Sequence, residues 1–152
     1  MQKIQIVRNK DDFDAVEDLI QIILKQMSAI GSEKDYYHIK NAVDNALSKS
    51  NRSVFFLYQK DFSIEAFAYG NICAGLESGA DYFWINELFV SEDIRNQQIA
   101  SNILSFIEDW AKTENIKYIA CITSLKNSPA KKLYLKNGFE LNETVWVDKT
   151  IE

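Results

Sequence analysis

The sequence is short of the residues that build metal sites, cross-links and kinked loops. Its 152 residues contain one histidine, two cysteines, one proline and five glycines. His38 with the separated Cys73 and Cys121 cannot supply the ligand cluster of a zinc site, so no metal is expected. Both cysteines sit in apolar, strand-like stretches and read as buried free thiols of a reducing compartment rather than as a disulfide. There is no block of lysines or arginines and the formal net charge is −5, which excludes the concentrated basic face that nucleic-acid binding needs. Apolar runs are short: Val54-Phe55-Phe56-Leu57-Tyr58 falls far below the roughly 20 residues that span a bilayer, so no membrane partner is expected. The opening Met1-Gln2-Lys3-Ile4 lacks an apolar stretch followed by a small-residue cleavage site. A signal peptide is therefore not indicated and a cytoplasmic location is expected. No repeat, low-complexity segment or Pro/Gly/Ser linker interrupts the chain, so residues 1–152 are expected to form a single domain around one core.

What is present is an ordinary globular composition, 47% hydrophobic and 26% charged. Residues Ile4 to Val7 predict a first strand. Phe13, Val16, Leu19, Ile20, Ile23, Leu24 and Met27 fall at helical spacing, and Gly31 stops that helix. Ser32 with Asp35 is placed to cap a second helix, whose stripe is Ile39, Ala42, Val43, Ala46 and Leu47. Strands at about Ser53–Tyr58 and Ile64–Ala74 flank the turn-like Gln59-Lys60-Asp61, and a fourth, Tyr82–Val90, is rich in aromatic and branched residues. A long helix follows, with Ile99, Ile103, Phe106, Ile107 and Trp110 on one face. Tyr118 to Ile122 reads as a short strand buried on both faces and parallel to its neighbour. Pro129 opens a last helix and Gly138 closes it. Phe139–Leu141 and Thr144–Thr150 read as a closing pair of strands. The order β-α-α-β-β-β-α-β-α-β-β predicts an α/β mixed sheet with helices on its faces.

The informative segment is Leu88-Phe89-Val90-Ser91-Glu92-Asp93-Ile94-Arg95-Asn96-Gln97-Gln98-Ile99-Ala100-Ser101. A strand ends, a polar turn follows and a helix begins. The first amides of a helix have no internal partner and its dipole is positive there, which suits a phosphate or pyrophosphate. This stretch resembles the signature of the GNAT N-acetyltransferases: arginine or glutamine, two residues, glycine, any residue, then glycine or alanine. Here the positions are Arg95, Gln98 and Ala100. A second stretch, from Asn127 through Ala130 and Tyr134 to Gly138-Phe139, is similar to the family's later motif of Asn, Ala, Tyr and Gly-Phe. The two occur in order, separated by one helix and one strand, and the element order along nearly the whole chain agrees. The resemblance implies the acyl-CoA N-acyltransferase fold: a central, mixed, mostly antiparallel sheet flanked by about four helices.

Carried onto these positions, the resemblance implies acetyl-CoA as co-substrate. Backbone groups of Leu88, Phe89 and Val90 would pair with the pantetheine arm, and amides from Arg95, Asn96, Gln97, Gln98, Ile99, Ala100 and Ser101 would cradle the pyrophosphate. Asn127 would hydrogen-bond the pantetheine, and Tyr134 would protonate the departing thiolate as general acid. Gln98 stands where glycine is usual and Asn96 where it is frequent. Asparagine tolerates a left-handed backbone. A helical Gln98 would keep its amide on the phosphate, whereas a non-helical one would weaken coenzyme A binding.

Glu87 is the nearest base for the attacking amine, although many relatives carry the acid one position earlier, where this chain has Asn86. By strand alternation the two are expected on opposite faces. Glu87 reads as a base acting through water, as a guide for a cationic amine, or as a salt-bridged structural residue. Glu33, Asp35, Tyr36, Tyr37, Asp44, Glu77 and Asp81 border the expected acceptor cleft and would suit a polyamine or aminoglycoside by charge and cation–π attraction; they equally fit a solvated helix face. Trp110 reads as core, and Trp146 as core, acceptor contact or dimer surface. The function expected is transfer of acetyl to a primary amine of a small molecule. Two alternatives stand beside it: a protein lysine or N-terminal acetyltransferase, and a non-catalytic acyl-CoA sensor. By analogy with relatives, Thr144–Thr150 is available for a homodimer.

Overall fold

The computed structural model describes residues 2–48 and 52–152. The chain divides into two compact units, Met1–Ile122 and Thr123–Glu152.

The first unit is built on a five-stranded sheet in the order β1-β2-β3-β4-β5: β1 Gln2–Val7, β2 Ser53–Lys60, β3 Ser63–Cys73, β4 Tyr82–Val90 and β5 Tyr118–Cys121. The first four strands run antiparallel to their neighbours and β5 joins β4 in parallel, so the sheet is mixed and mostly antiparallel as expected. A parallel pair needs a crossover, supplied here by the helix α3, Ile99–Thr113. Helices α1, Val16–Ala29, and α2, Tyr36–Ser48, precede β2.

Strand β2 is buried from Ser53 to Tyr58 because both sheet faces are covered, which is why it reads as a continuous apolar run. Phe55 and Leu57 enter a core with Leu19, Ile20 and Ile23 of α1 and Ile39, Val43 and Leu47 of α2. On the opposite face, Phe56 meets Phe83, Phe106 and Trp110 edge-on, at ring-centroid distances of 5.8, 6.1 and 5.0 Å. Each such pair contributes about 0.5–1.5 kcal/mol beyond the area it buries. Trp110 is core, as expected.

Local chemistry moves several boundaries. The cap of α2 is Asp35, whose carboxylate accepts the His38 N–H at 2.8 Å, rather than Ser32. Its negative charge also favours the helix N-terminus. The β2–β3 reversal falls on Asp61 and Phe62, both left-handed (φ 49° and 73°), as a tight two-residue hairpin turn requires, rather than on Gln59-Lys60-Asp61. At the sheet edge, β5 is half-exposed instead of buried on both faces, and Cys73 and Cys121 are half-buried free thiols. Among the described residues, no helix is long and apolar enough to cross a membrane.

The second unit holds α4, Ser128–Lys136, with Asn127 at its N-cap and Pro129 in its first turn. Gly138, at φ 83°, turns the chain so that the Phe139 N–H returns to the Tyr134 carbonyl at 3.0 Å. The closing strands expected at Phe139–Leu141 and Thr144–Thr150 do not form: residues 139–152 enter no ladder. Strand preference is largely packing on a pleated surface. Here Leu141, Val145, Trp146, Val147 and Ile151 are exposed, so that packing is absent and Trp146 is not core.

Candidate functional site

Ladder pairing leaves one stretch of β4 open. Its bonds to β3 continue to Val90, opposite Ala66, whereas the parallel pairing with β5 ends at Ile85 opposite Cys121. Residues 86–90, including Leu88, Phe89 and Val90, therefore have a strand on one side only. Backbone groups on the other side can accept an extended ligand as a further strand.

Val90 runs directly into the polar turn. Ser91 is buried and its N–H donates to the Glu65 carbonyl at 2.9 Å. A short 3₁₀ turn, Glu92–Ile94, follows, with Ile94 buried as its anchor. Arg95 to Gln98 are exposed, and Ile99 plugs back into the core. Asn96 (φ 64°) and Gln98 (φ 60°) both adopt the left-handed conformation that glycine takes most easily. Gln98 is thus not helical; it is the N-cap of α3 and makes no side-chain cap bond. The first turn of the helix is closed by the Asn102 N–H donating to the Gln98 carbonyl at 2.9 Å, which leaves the amides at the start of α3, those of Ile99 and Ala100, without an intrahelical acceptor. A non-helical Gln98 carries the expectation of weaker coenzyme A binding, but its left-handed backbone follows the path glycine would give the chain, at a cost of about 1–2 kcal/mol for a left-handed residue with a side chain.

Arg95 folds back so that its Nε donates to the Val90 carbonyl at 3.2 Å. Beside it lies a cleft of about 460 Å³ lined by Lys25, Ser28, Ala29, Phe89, Glu92 and Arg95. Two cations against one carboxylate line it, a balance that suits an anionic ligand.

Glu87 reaches the α1 side of the sheet through a bulge. Tyr69 pairs with Glu87 and Gly70 with Ile85, so Asn86 is an extra residue on β4. Such a bulge overturns strict alternation. Asn86 accepts a 2.7 Å bond from Asn71, which itself accepts from Ser53 at 3.0 Å. By register these residues share the face of Phe55, Leu57 and Phe67, beneath α1 and α2. Glu87 is on that face too: its Oε2 accepts a 2.7 Å bond from Nε2 of Gln26 in α1. Asn86 and Glu87 therefore point the same way, contrary to expectation. Burial pushes the Glu87 carboxyl above the usual carboxylate range, and the Gln26 bond partly offsets it. Among the described residues Glu87 forms no ion pair, so the salt-bridged reading fails.

Gln26 was not evident as a site residue from sequence. Its signal was a polar residue three positions after Ile23 and seven after Leu19, on the buried stripe of α1. In the second unit, Asn127 spends its Oδ1 on the Ala130 N–H at 3.1 Å and keeps its amide nitrogen as a donor. Tyr134 is buried and packs edge-on against Phe139 at 5.3 Å.

The acidic residues offered for the acceptor are mostly engaged. Asp44 pairs with Lys40 (2.6 Å) and Lys10 (3.4 Å), Asp81 with Arg52 (2.7 Å), and Asp35 caps α2. Tyr36 donates to Glu17 at 2.7 Å, while Glu33, Tyr37 and Glu77 are exposed.

Residues 16–139 match the acetyltransferase (GNAT) family. The chain belongs to that family. GNAT membership agrees with the mixed five-stranded sheet and its helices. A curated relative, GCN5-related N-acetyltransferase 6, chloroplastic, of Arabidopsis thaliana, is 29% identical over 118 residues, 76% of this chain. The aligned part spans 41% of that relative's length. Among solved structures, a probable acetyltransferase superposes with a TM-score of 0.86 at 18% identity, covering 99% of both chains. AAC(6')-Iy, in complex with the bisubstrate analogue CoA-S-monomethyl-acetylneamine, superposes at 0.78 with 19% identity, covering 99% of both chains.

Proposed function

We propose that this GNAT protein transfers acetyl from acetyl-CoA to a primary amine of a small molecule, polyamine- or aminoglycoside-like, by direct transfer in a ternary complex. The observation that carries the reading is the open edge of β4 at residues 86–90 running straight into the uncapped start of α3. The bisubstrate analogue held by AAC(6')-Iy, which joins CoA to acetylneamine, supports a site that holds donor and acceptor together.

Acetyl-CoA supplies the acyl group as a thioester. Leu88, Phe89 and Val90 line the open edge, where the main-chain groups that face away from β3 hold the extended arm and an N–H among them stabilises the oxyanion formed on attack. The amides from Arg95 to Ser101, with the Arg95 and Lys25 side chains, hold the diphosphate. Asn127 donates to the arm through its amide nitrogen. Glu87, with its carboxyl tuned upward by burial, takes a proton from the acceptor ammonium directly or through one water. Tyr134 returns a proton to the departing thiolate, since a phenol of pKa about 10 and a thiol of about 8.5 share one readily. A single domain over residues 1–152 is part of this proposal. The exposed Val145, Trp146 and Val147 support a homodimer, and a cytoplasmic location is part of the same proposal.

Calorimetry with acetyl-CoA, followed by thiol-release assays on polyamines, aminoglycosides and lysine peptides, tests the reading. Micromolar binding and turnover with a small amine are expected. Binding without turnover on any amine would make the protein a sensor, and turnover on peptides alone a protein acetyltransferase. No heat at millimolar coenzyme would remove the assignment.

A further inference from the structure

Gln26 is 4% exposed, and its carbonyl Oε1 is fully buried with no hydrogen-bond partner. It is the one such side-chain atom among the described residues. An orphaned buried carbonyl costs about 1–3 kcal/mol and calls for an explanation. The amide nitrogen on the same terminal carbon donates to Glu87 at 2.7 Å, so the carbonyl lies within the width of one amide group of a carboxylate. That arrangement becomes favourable only if the carboxyl acquires a hydrogen.

We propose that Gln26 is the positioning residue of Glu87, donating from Nε2 to the charged carboxylate and, once Glu87 has taken a proton, also accepting its new O–H at Oε1 in a two-point amide–acid ring. The inference rests on Glu87 being the group that receives the amine proton. In that step an N–H bond of the acceptor ammonium breaks, an O–H bond forms on Glu87, and the free amine is left to attack. A single carboxyl on a half-buried strand would rotate as its charge changes. A ring that completes itself on protonation holds the acid in one place through the cycle, and the orphaned oxygen is the second seat of that ring.

The surroundings favour this assignment. Opposite Glu87 on β3 is Tyr69; beside it on β4 is Asn86, committed to Asn71; on α1 the neighbouring charge is Lys25; and at the end of the β5 pairing is Cys121. α3 lies against the other face. Among the described residues Glu87 has no ion pair, and the Gln26 amide is its one hydrogen-bond partner at the side chain.

The experiment is a carbon-13 titration of the whole protein, following the side-chain carbonyl carbons of Gln26 and Glu87. The Gln26 carbon is expected to move downfield as pH falls, with the midpoint of Glu87. In Glu87→Gln, whose amide can donate permanently, it should sit at the acidic wild-type position at every pH. A Gln26 resonance that stays flat through the Glu87 titration overturns the proposal. As a second measurement, Gln26→Met should lower kcat on the order of tenfold, as for one lost hydrogen bond, and leave the KM for acetyl-CoA unchanged. Wild-type kinetics in that variant would also overturn it. The proton-acceptor reading fails separately, if Glu87→Gln retains the acidic limb of kcat/KM while the two wild-type carbons still titrate together.

Discussion

Asn86 and Glu87 are neighbours in the chain, yet they turn their side chains to the same face of the sheet. The cause is the single extra residue that β4 carries opposite the Tyr69–Gly70 step of β3. An acid at either position would therefore reach the same side of the strand.

Gly70 sustains that geometry. A methyl group there would collide with the ring of Phe83 and the backbone carbonyl of Trp84, and the carbonyl cannot step aside. Gly70→Ala should cost about 1–3 kcal/mol by overpacking and lower the melting temperature by several degrees. The acidic limb of the rate profile should be displaced with it, as Glu87 loses its setting. A variant melting like wild type would mean that the strand absorbs the methyl group.

Gln98 has the backbone of a glycine without being one. Gln98→Gly removes a left-handed penalty of about 1–2 kcal/mol, but part is returned through the freer unfolded chain. A net gain of about 0.5–1 kcal/mol, a rise of roughly 1–4 °C in melting temperature, is expected. Coenzyme A should bind at least as tightly by calorimetry. Asn96→Gly should gain less, because asparagine already tolerates that region. A lower melting temperature for Gln98→Gly would contradict the strain.

In the proposed mechanism Glu87 ties activity to stability. Burial raises its carboxyl pKa in the folded state, so the fold holds the proton more tightly than the unfolded chain does. Its contribution is present in full below the ordinary glutamate range and is lost as pH rises through the raised value. Glu87→Gln should thus melt higher than wild type at neutral pH, with the margin shrinking on acidification, while turnover falls and the acidic limb disappears. An unchanged limb would argue against a base.

Tyr134→Phe keeps the ring packed on Phe139 and removes only the hydroxyl. Turnover should fall at least tenfold with coenzyme A affinity near wild type, a loss of about 1.4 kcal/mol or more in the transition state alone. Unchanged turnover would remove Tyr134 from the mechanism.

Trp146 is 64% exposed, between the still more exposed Val145 and Val147. If these residues meet a second copy, Trp146→Ser with Val147→Ser should move the sedimentation coefficient from dimer to monomer. A single species at monomer mass for the wild-type chain would rule the dimer out.

The β4–α3 junction was legible because hydrophobic period changes there from two to 3.6 across a polar turn, and Pro129 and Gly138 punctuated α4 by their own backbone limits. The bulge at Asn86 was not legible, since register belongs to a pair of strands and the deciding residue, Gly70, lies on the other one. The conformation of Gln98 was hidden for a similar reason: its φ is imposed by Ile94 and Ile99, which anchor both ends of the turn in the core. Thr144–Thr150 carried a strand pattern, but a pattern without a partner strand makes no ladder. Gln26 is not legible in the sequence, because a lone polar residue on an apolar stripe has no meaning until its partner, Glu87, is brought to it by the fold.

The early end of the β4–β5 pairing has a consequence for what can dock. The unpaired run covers about five residues, roughly 17 Å of strand. It begins where an existing ladder stops, so it is a notch within the sheet rather than a free rim. A rim invites the strands of other proteins and, with them, aggregation. A notch this short offers a protein strand little, yet matches a slender, linear molecule that can bond along its length and leave its charged end at the helix beyond.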